Sequence, residues 1–307
     1  MRRAGLIRSR WTLGTSLRGA DFHSEGDCGF ANRERVLASD KGKLAVANGS
    51  FSIEWIETAP APGSWNMAVD EVLLETAAQR GQPVLRFYQW SAPTLSLGYF
   101  QRLADRVSHS PSTGVDLVRR VSGGGAIVHD RELTYSLSLP PGHPLGLDTQ
   151  SLYNALHTTL IETLASWGVE ARLCNPGVDT LPCFMAAPDA DEKSAEPFLC
   201  FQRRAQGDVL VGAYKVAGSA QRRRQGAVLQ HGSVLLGTSA AAPELPGIRA
   251  LCDVEIPPGE LAQAWSAALA GQLSLSWVHT ELPPALLDLA RERERDKYSA
   301  TKWNALR

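Results

Sequence analysis

The feature that most constrains this chain is the run of residues 84–139. Short apolar runs at 84–90, 94–98, 115–121, 126–128 and 133–139 follow one another with brief turns and no helical period between them. Alternation over residues 84–90 and at Tyr135 and Leu137 is the period-two signal of strands. Strands joined by short turns pair as antiparallel hairpins, because a parallel crossover needs a dozen or more residues. Helical spacing flanks this block: residues 65–79, with Met67, Val69, Val72, Leu73 and Leu74, and residues 151–168, ending at a glycine. Further strands are expected at 51–56, 169–173, 209–211, 214–217 and 228–236, and helices at 261–273 and 284–298. Ser64 is placed to cap the first helix. Its Asn66, Asp70 and Glu71 are either functional or, more simply, first-turn polar groups facing the helix dipole. The expected fold class is α+β, a single catalytic domain on a twisted mixed, mostly antiparallel sheet with packed helices.

Composition sets bounds. With 307 residues and 44% hydrophobic content the chain supports a full core. A formal net charge of −1 makes no global case for a nucleic-acid or membrane partner. Five cysteines without close pairing argue against a disulfide framework and suit a cytoplasmic setting. No zinc-like spacing is present, so no metal or other cofactor is expected. Residues 1–50 are Arg-rich at the start and lack a signal-peptide core. They are expected to be a disordered or non-native extension to a catalytic domain at 51–307. A Pro-, Ala- and acid-rich stretch near 183–198 reads as a loop insertion in that domain.

Within the strand block lies Arg119-Arg120-Val121-Ser122-Gly123-Gly124-Gly125-Ala126-Ile127-Val128-His129-Asp130. Consecutive glycines let backbone approach a ligand closely, although a plain hairpin turn uses glycine for the same reason. The run fits neither common nucleotide-binding glycine pattern. Arg119 and Arg120 read as a solvated face, or one of them as facing the carrier or a pocket carboxylate. Further on stand Lys215-Val216-Ala217-Gly218-Ser219-Ala220-Gln221-Arg222-Arg223-Arg224 and Gln230-His231-Gly232-Ser233. The three arginines suit a solvated turn or the docking of an acidic partner.

These blocks, with residues 83–101, resemble in order and spacing the biotin/lipoate protein ligase superfamily, and within it the lipoate branch of lipoate-protein ligases and octanoyltransferases. The resemblance runs from about residue 53 to 303. It implies that the glycine strand lines an acyl pocket and that Lys215 points at the acyl carbonyl. It places Arg120, Ser122, Gly123, Gly124, Gly125, His129, Gly218, Ser219, Ala220 and His231 at the substrate. Cys200-Phe201 stands fifteen residues before Lys215, where octanoyltransferases of the LipM type carry an acyl-accepting cysteine.

The implied chemistry is transfer from an activated thioester, which needs no ATP. A free thiol has a pKa of about 8.5, and a neighbouring ammonium favours its thiolate. The resemblance implies octanoyl acyl carrier protein as donor and a lysine of a lipoyl domain or glycine-cleavage H protein as acceptor. Cys183-Phe184 is the rival nucleophile, while Cys28, Cys174 and Cys252 take a structural reading. His129 and His231 are both candidates for accepting the amine's proton. The match is mixed. Three glycines stand where many transferases have Gly-Gly-Arg, which is ligase-like. Arg131-Glu132-Leu133-Thr134-Tyr135-Ser136 and Gln230-His231-Gly232-Ser233 are transferase-like, and no accessory domain of the kind many ligases carry is expected after Trp303, although some ligases keep it on another chain. Alternatives are an ATP-dependent lipoate-protein ligase, an amidotransferase with acylated H protein as donor, a silent acyl-binding paralogue and, more remotely, biotin transfer.

Overall fold

The computed structural model describes residues 51–179 and 197–307, with two short strands, Leu37–Ala38 and Leu44–Ala45, that pair antiparallel. Cys28 and Cys183, and nearly all of the expected insertion, lie outside the described residues.

In chain order the elements are β1 (Phe51–Glu57), α1 (Gly63–Arg80), β2 (Val84–Tyr88), β3 (Thr94–Leu97), β4 (Asp116–Arg119), β5 (Ile127–His129), β6 (Glu132–Leu139), α2 (Thr149–Ala165) and β7 (Ala171–Leu173). After the undescribed stretch come β8 (Val209–Val211), β9 (Tyr214–Arg224), β10 (Ala227–Leu235), α3 (Ile248–Cys252), α4 (Pro258–Leu273), β11 (Leu275–His279), α5 (Pro284–Arg293) and α6 (Thr301–Asn304). A π-helical turn, Glu294–Tyr298, joins the last two helices. The described residues form an eight-stranded sheet in the order β11-β1-β2-β6-β10-β9-β8-β7 and a three-stranded sheet in the order β4-β3-β5. In the large sheet β11/β1 and β1/β2 are parallel and the other five pairings antiparallel.

The α+β class and mostly antiparallel sheet are as expected, with three differences. The strands at 94–97, 116–119 and 127–129 leave the main sheet and form their own, because β3 pairs with β4 in parallel across the turns at 103–112. The edge strand β11 was not anticipated; its residues are half-buried or exposed, so no strong apolar alternation announces it. Ser64 does not cap α1: its N-cap is Pro62, and the Ser64 hydroxyl donates to Glu294 at 2.6 Å.

Strand β6 shows how the faces are assigned. Its odd positions, Leu133, Tyr135, Leu137 and Leu139, enter a core shared with Leu152, Leu156 and Leu160 of α2 and Trp265 and Leu269 of α4. Its even positions, Glu132, Thr134, Ser136 and Ser138, turn to the opposite face. There Ser136 donates to Asp70 of α1 at 2.7 Å. One face of the sheet is thus apolar under α2 and α4, and the other, under α1 and the small sheet, combines apolar packing of Met67, Leu74, Tyr88 and Leu229 with a buried polar patch. The polar groups of that second face build the site. Among the described residues no helix is long and apolar enough to cross a membrane.

Candidate active site

A pocket opens where the glycine loop of the small sheet faces β9 and β10. The space amounts to about 510 Å³ including its mouth. Cys200, Phe201 and Lys215 sit on it beside Gly123, Gly124, Arg120 and His129, and β9 and β10 contribute Gly218, Ser219, Ala220 and His231. Ten of the twelve residues expected at the site therefore share one cavity. The other two stand behind it: Ser122 is fully buried against His231, and Gly125 backs the Cys200 segment.

Backbone sterics explain the motif glycines. A Cβ on Gly125 would lie 2.9 Å from the Cys200 nitrogen and 3.0 Å from its Cα. Only glycine lets that turn approach, and the approach is fixed by Cys200 N–H donating to Ala126 O at 2.7 Å. Gly124 adopts φ +92°, a conformation that excludes ordinary side chains. A Cβ on Gly218 would meet Lys215 Cε at 2.4 Å and Nζ at 2.7 Å. The Lys-x-x-Gly spacing is thus what lets the lysine fold back over its own strand.

Lys215 is buried rather than an exposed strand lysine. Its Nζ lies 3.8 Å from Cys200 Sγ and 2.9 Å from Asp208 Oδ2. Burial pulls the ammonium's pKa down, but the Cys200 sulfur and the Asp208 carboxylate outweigh this and leave it raised. Asp208 is itself fixed by Tyr153 OH, which donates to Oδ1 at 2.8 Å, and by the Ala205 amide at 2.8 Å. Cys200 is half-buried at the pocket wall, whereas Cys174 is buried away from it.

A second buried network surrounds Ser219. Burial pulls the His157 pKa down to about 4, so the imidazole is neutral. Its Nδ1–H donates to Gly207 O at 2.6 Å, which leaves Nε2 to accept from Ser219 at 2.6 Å. Tyr135 OH then donates to Ser219 Oγ at 2.6 Å, and Gln230 donates to Tyr135 at 2.9 Å. His157, Tyr153 and Asp208 carried no sequence signal beyond a polar residue on a helix or before a strand.

Each candidate proton acceptor has its own carboxylate. His231 places Nδ1 3.3 Å from Asp70 and Nε2 2.5 Å from Ser122 Oγ. His129 places Nδ1 2.6 Å from Glu132 and Nε2 2.7 Å from Ser96 Oγ. Trp90 stacks flat on the His129 ring at 3.8 Å, and burial pulls the His129 pKa down. Asp70 is no dipole-facing surface acid. It is buried and takes Arg86 at 3.0 Å, Tyr88 OH at 2.8 Å and Ser136 besides His231. Burial opposes its ionisation, but His231 and Arg86 more than offset that and hold its pKa below the usual value. Asn66 and Glu71 are also buried: Asn66 accepts from Arg86 at 2.6 Å, and Glu71 binds Lys297 at 2.6 Å and Tyr298 OH at 3.0 Å.

The two arginines divide their work. Arg120 braces the loop, donating to Ser96, Gly123 O and Gly125 O at 2.6–3.0 Å. Burial lowers its pKa to about 10, so it stays cationic at neutral pH. Arg119 faces away from the pocket and clasps the carbonyls of Gly98, Gln101, Trp303 and Asn304. Neither is a solvated face.

The family model of the lipoyl protein ligase A/B catalytic domain matches residues 62–244, the span that carries every residue lining the pocket. The chain belongs to this family. Within the family it is similar to the octanoyltransferase LipM of Macrococcus caseolyticus, 36% identical over 190 residues, 59% of this chain and 66% of that protein. The match to LipM of Staphylococcus aureus is 37% identical over 59% of this chain and 64% of that protein. These two alignments thus span just under two thirds of the relatives' length. LipM of Brevibacillus brevis is 30% identical over 82% of this chain and 98% of its own. The lipoyl ligase fold is shared with lipoate-protein ligase A bound with ATP, at TM-score 0.62, 22% identity and coverage of 84% of this chain and 99% of that one. A bipartite lipoate protein ligase of Thermoplasma acidophilum gives TM-score 0.62 at 21% identity, covering 84% and 97%.

Proposed function

We propose that this chain is an octanoyltransferase of protein lipoylation that carries the acyl group on Cys200. The observation that carries the reading is the Cys200–Lys215 contact of 3.8 Å at the wall of the pocket, in a chain similar to LipM octanoyltransferases over most of its length. Residues 51–307 form the catalytic domain in this reading, and the reaction is ATP-independent and cytoplasmic.

In the first step the Cys200 thiolate attacks the carbonyl carbon of the donor thioester. The Lys215 ammonium stabilises the negative charge on the tetrahedral oxygen. A bond forms from Cys200 Sγ to the acyl carbon, the donor's carbon–sulfur bond breaks, and the departing thiolate takes a proton from solvent. In the second step the neutral amine of an acceptor lysine attacks the Cys200 thioester. The new carbon–nitrogen bond replaces the carbon–sulfur bond, Cys200 leaves as thiolate, and the amine's second proton passes to a base. Asp208 keeps Lys215 protonated at 2.9 Å. His231, on the same wall and oriented by Asp70, is the base in this scheme. The donor is octanoyl acyl carrier protein and the acceptor a lipoyl domain or glycine-cleavage H protein.

The ATP-dependent ligase reading rests on the three glycines at 123–125. Intact-mass analysis with octanoyl acyl carrier protein and no ATP separates the two. A thioester-labile octanoyl adduct on the wild type, absent from Cys200→Ser and passed on to a lipoyl domain, is the expected result. Transfer that appears only with ATP and free lipoate identifies a ligase. An adduct formed only from octanoylated H protein identifies the amidotransferase variant.

A further inference from the structure

At the rim of the pocket two guanidinium groups and two aromatic rings form one exposed cluster that the chemistry above does not use. Gly218 and Ala220 of β9 line the pocket. Side chains two apart on a strand share a face, so the face of Ala220 continues outward to Arg222, about 7 Å farther along β9. Arg222 is exposed, and its guanidinium lies 5.6 Å over the Tyr99 ring. The Arg307 guanidinium lies 5.3 Å from the rings of both Tyr99 and Phe100. Phe100 is 67% exposed, unusual for so large an apolar side chain, and packs edge-on against Tyr99 at 5.0 Å. It stands beside the pocket-lining Gly123: a Cβ there would sit 3.9 Å from the Phe100 ring.

The cluster is charged as well as apolar. Among the described residues Arg222, Arg223 and Arg307 make no ion pair, but the Arg223 guanidinium is tied down by Gly146 O and Thr149, and Arg224 is paired with Glu75. Arg102 close by is paired with Asp105 and adds no net charge. Two cations without an ion pair among the described residues thus sit over the half-buried Tyr99 ring, next to the exposed Phe100 ring. Arginine and aromatic side chains are the groups that anchor protein contacts most often, and unpaired cations at a rim steer acidic partners.

We propose that Arg222, Arg307, Tyr99 and Phe100 form the docking platform for the acidic carrier protein that delivers the acyl thioester, with Phe100 seated in an apolar depression of that partner. The identity of the cargo rests on the transfer reading above; the docking itself does not. Of the three arginines at 222–224, the structure thereby assigns partner recognition to the first alone.

The test combines binding and acylation on the full chain. Fluorescence anisotropy with labelled acyl carrier protein lacking its acyl group measures docking without chemistry. Arg222→Glu and Phe100→Ala are each expected to weaken binding by about tenfold or more, and raising salt is expected to weaken the wild type more than Arg222→Glu. Acylation of Cys200 is then timed with the carrier thioester and with octanoyl-N-acetylcysteamine, a small thioester without a protein body. The variants are expected to slow only the carrier reaction. Unchanged binding in both variants, or equal slowing with both donors, would overturn the proposal. Binding that follows the prediction while no adduct forms from either donor would sink the transfer reading and leave the platform standing.

Discussion

Lys215 is a buried cation held between a sulfur and a carboxylate, and its behaviour depends on both. Lys215→Met removes the charge facing the tetrahedral oxygen and should slow Cys200 acylation by about 10²- to 10³-fold, measured by stopped reaction and intact mass. Asp208→Asn removes one of the groups that raise the Lys215 pKa. The alkaline limb of the acylation pH profile should therefore move to lower pH, a shift that simple loss of packing would not produce. Asp70 acts at the same scale but on stability. Asp70→Asn leaves the buried Arg86 guanidinium without its carboxylate, at a cost of about 3–5 kcal/mol in urea unfolding.

Among the elements, the glycine loop between β4 and β5 is held from both sides. A Cβ on Gly98, just after β3, would lie 2.0 Å from Gly124 O, a backbone atom that cannot move without moving the loop. Gly98→Ala should therefore suppress adduct formation at Cys200 while far-ultraviolet circular dichroism stays near wild type. Gly114→Ala meets nothing within 4 Å and should be silent in the same assay. The polar alternation of β6 has the same logic at the level of a strand. Strand alternation puts Thr134 and Ser136 on one face, where Glu132 of the same strand and Asp70 of α1 accept their hydroxyls at 2.5 and 2.7 Å. Those carboxylates in turn orient His129 and His231.

The molecule as a whole should lose stability in mild acid through its buried histidines. Burial lowers both His143 and His157 from 6.5 to about 4. Each is neutral in the folded state over a range in which the unfolded chain binds a proton. Unfolding free energy should therefore fall as pH drops from about 6.5 toward about 4, then level off for these two groups. The Asp70 contribution has the opposite origin: its lowered pKa gives stability that is present above 3.8 and is lost as pH falls through the folded value. Urea titrations at pH 7 and pH 5 measure the first effect. His157→Gln should flatten that slope whatever its own stability, and an unchanged slope would rule His157 out as its source.

Much of the site was legible in the sequence because its parts are local. The α+β class follows from alternating apolar runs, and the three glycine-bearing motifs are short peptides whose spacing is set by backbone approach, as Gly218 beneath Lys215 shows. The Cys200–Lys215 pairing was implied by the family resemblance, and the two side chains meet because one hairpin and one turn span the fifteen residues between them. What the sequence left open depended on contacts between distant segments. Asp70 looked most simply like a first-turn acid facing the helix dipole, and only the packing of α1 on β2, β6 and β10 makes it the partner of Arg86, Tyr88, Ser136 and His231. Asp208, Tyr153 and His157 carry no motif, because their roles arise from the meeting of α2 with the turn before β8. The small sheet was read as part of the large one, since alternation marks a strand but not its neighbour. Strand character is a property of a few residues; the partner of a buried charge is decided by the whole fold, which must neutralise it wherever the chain returns.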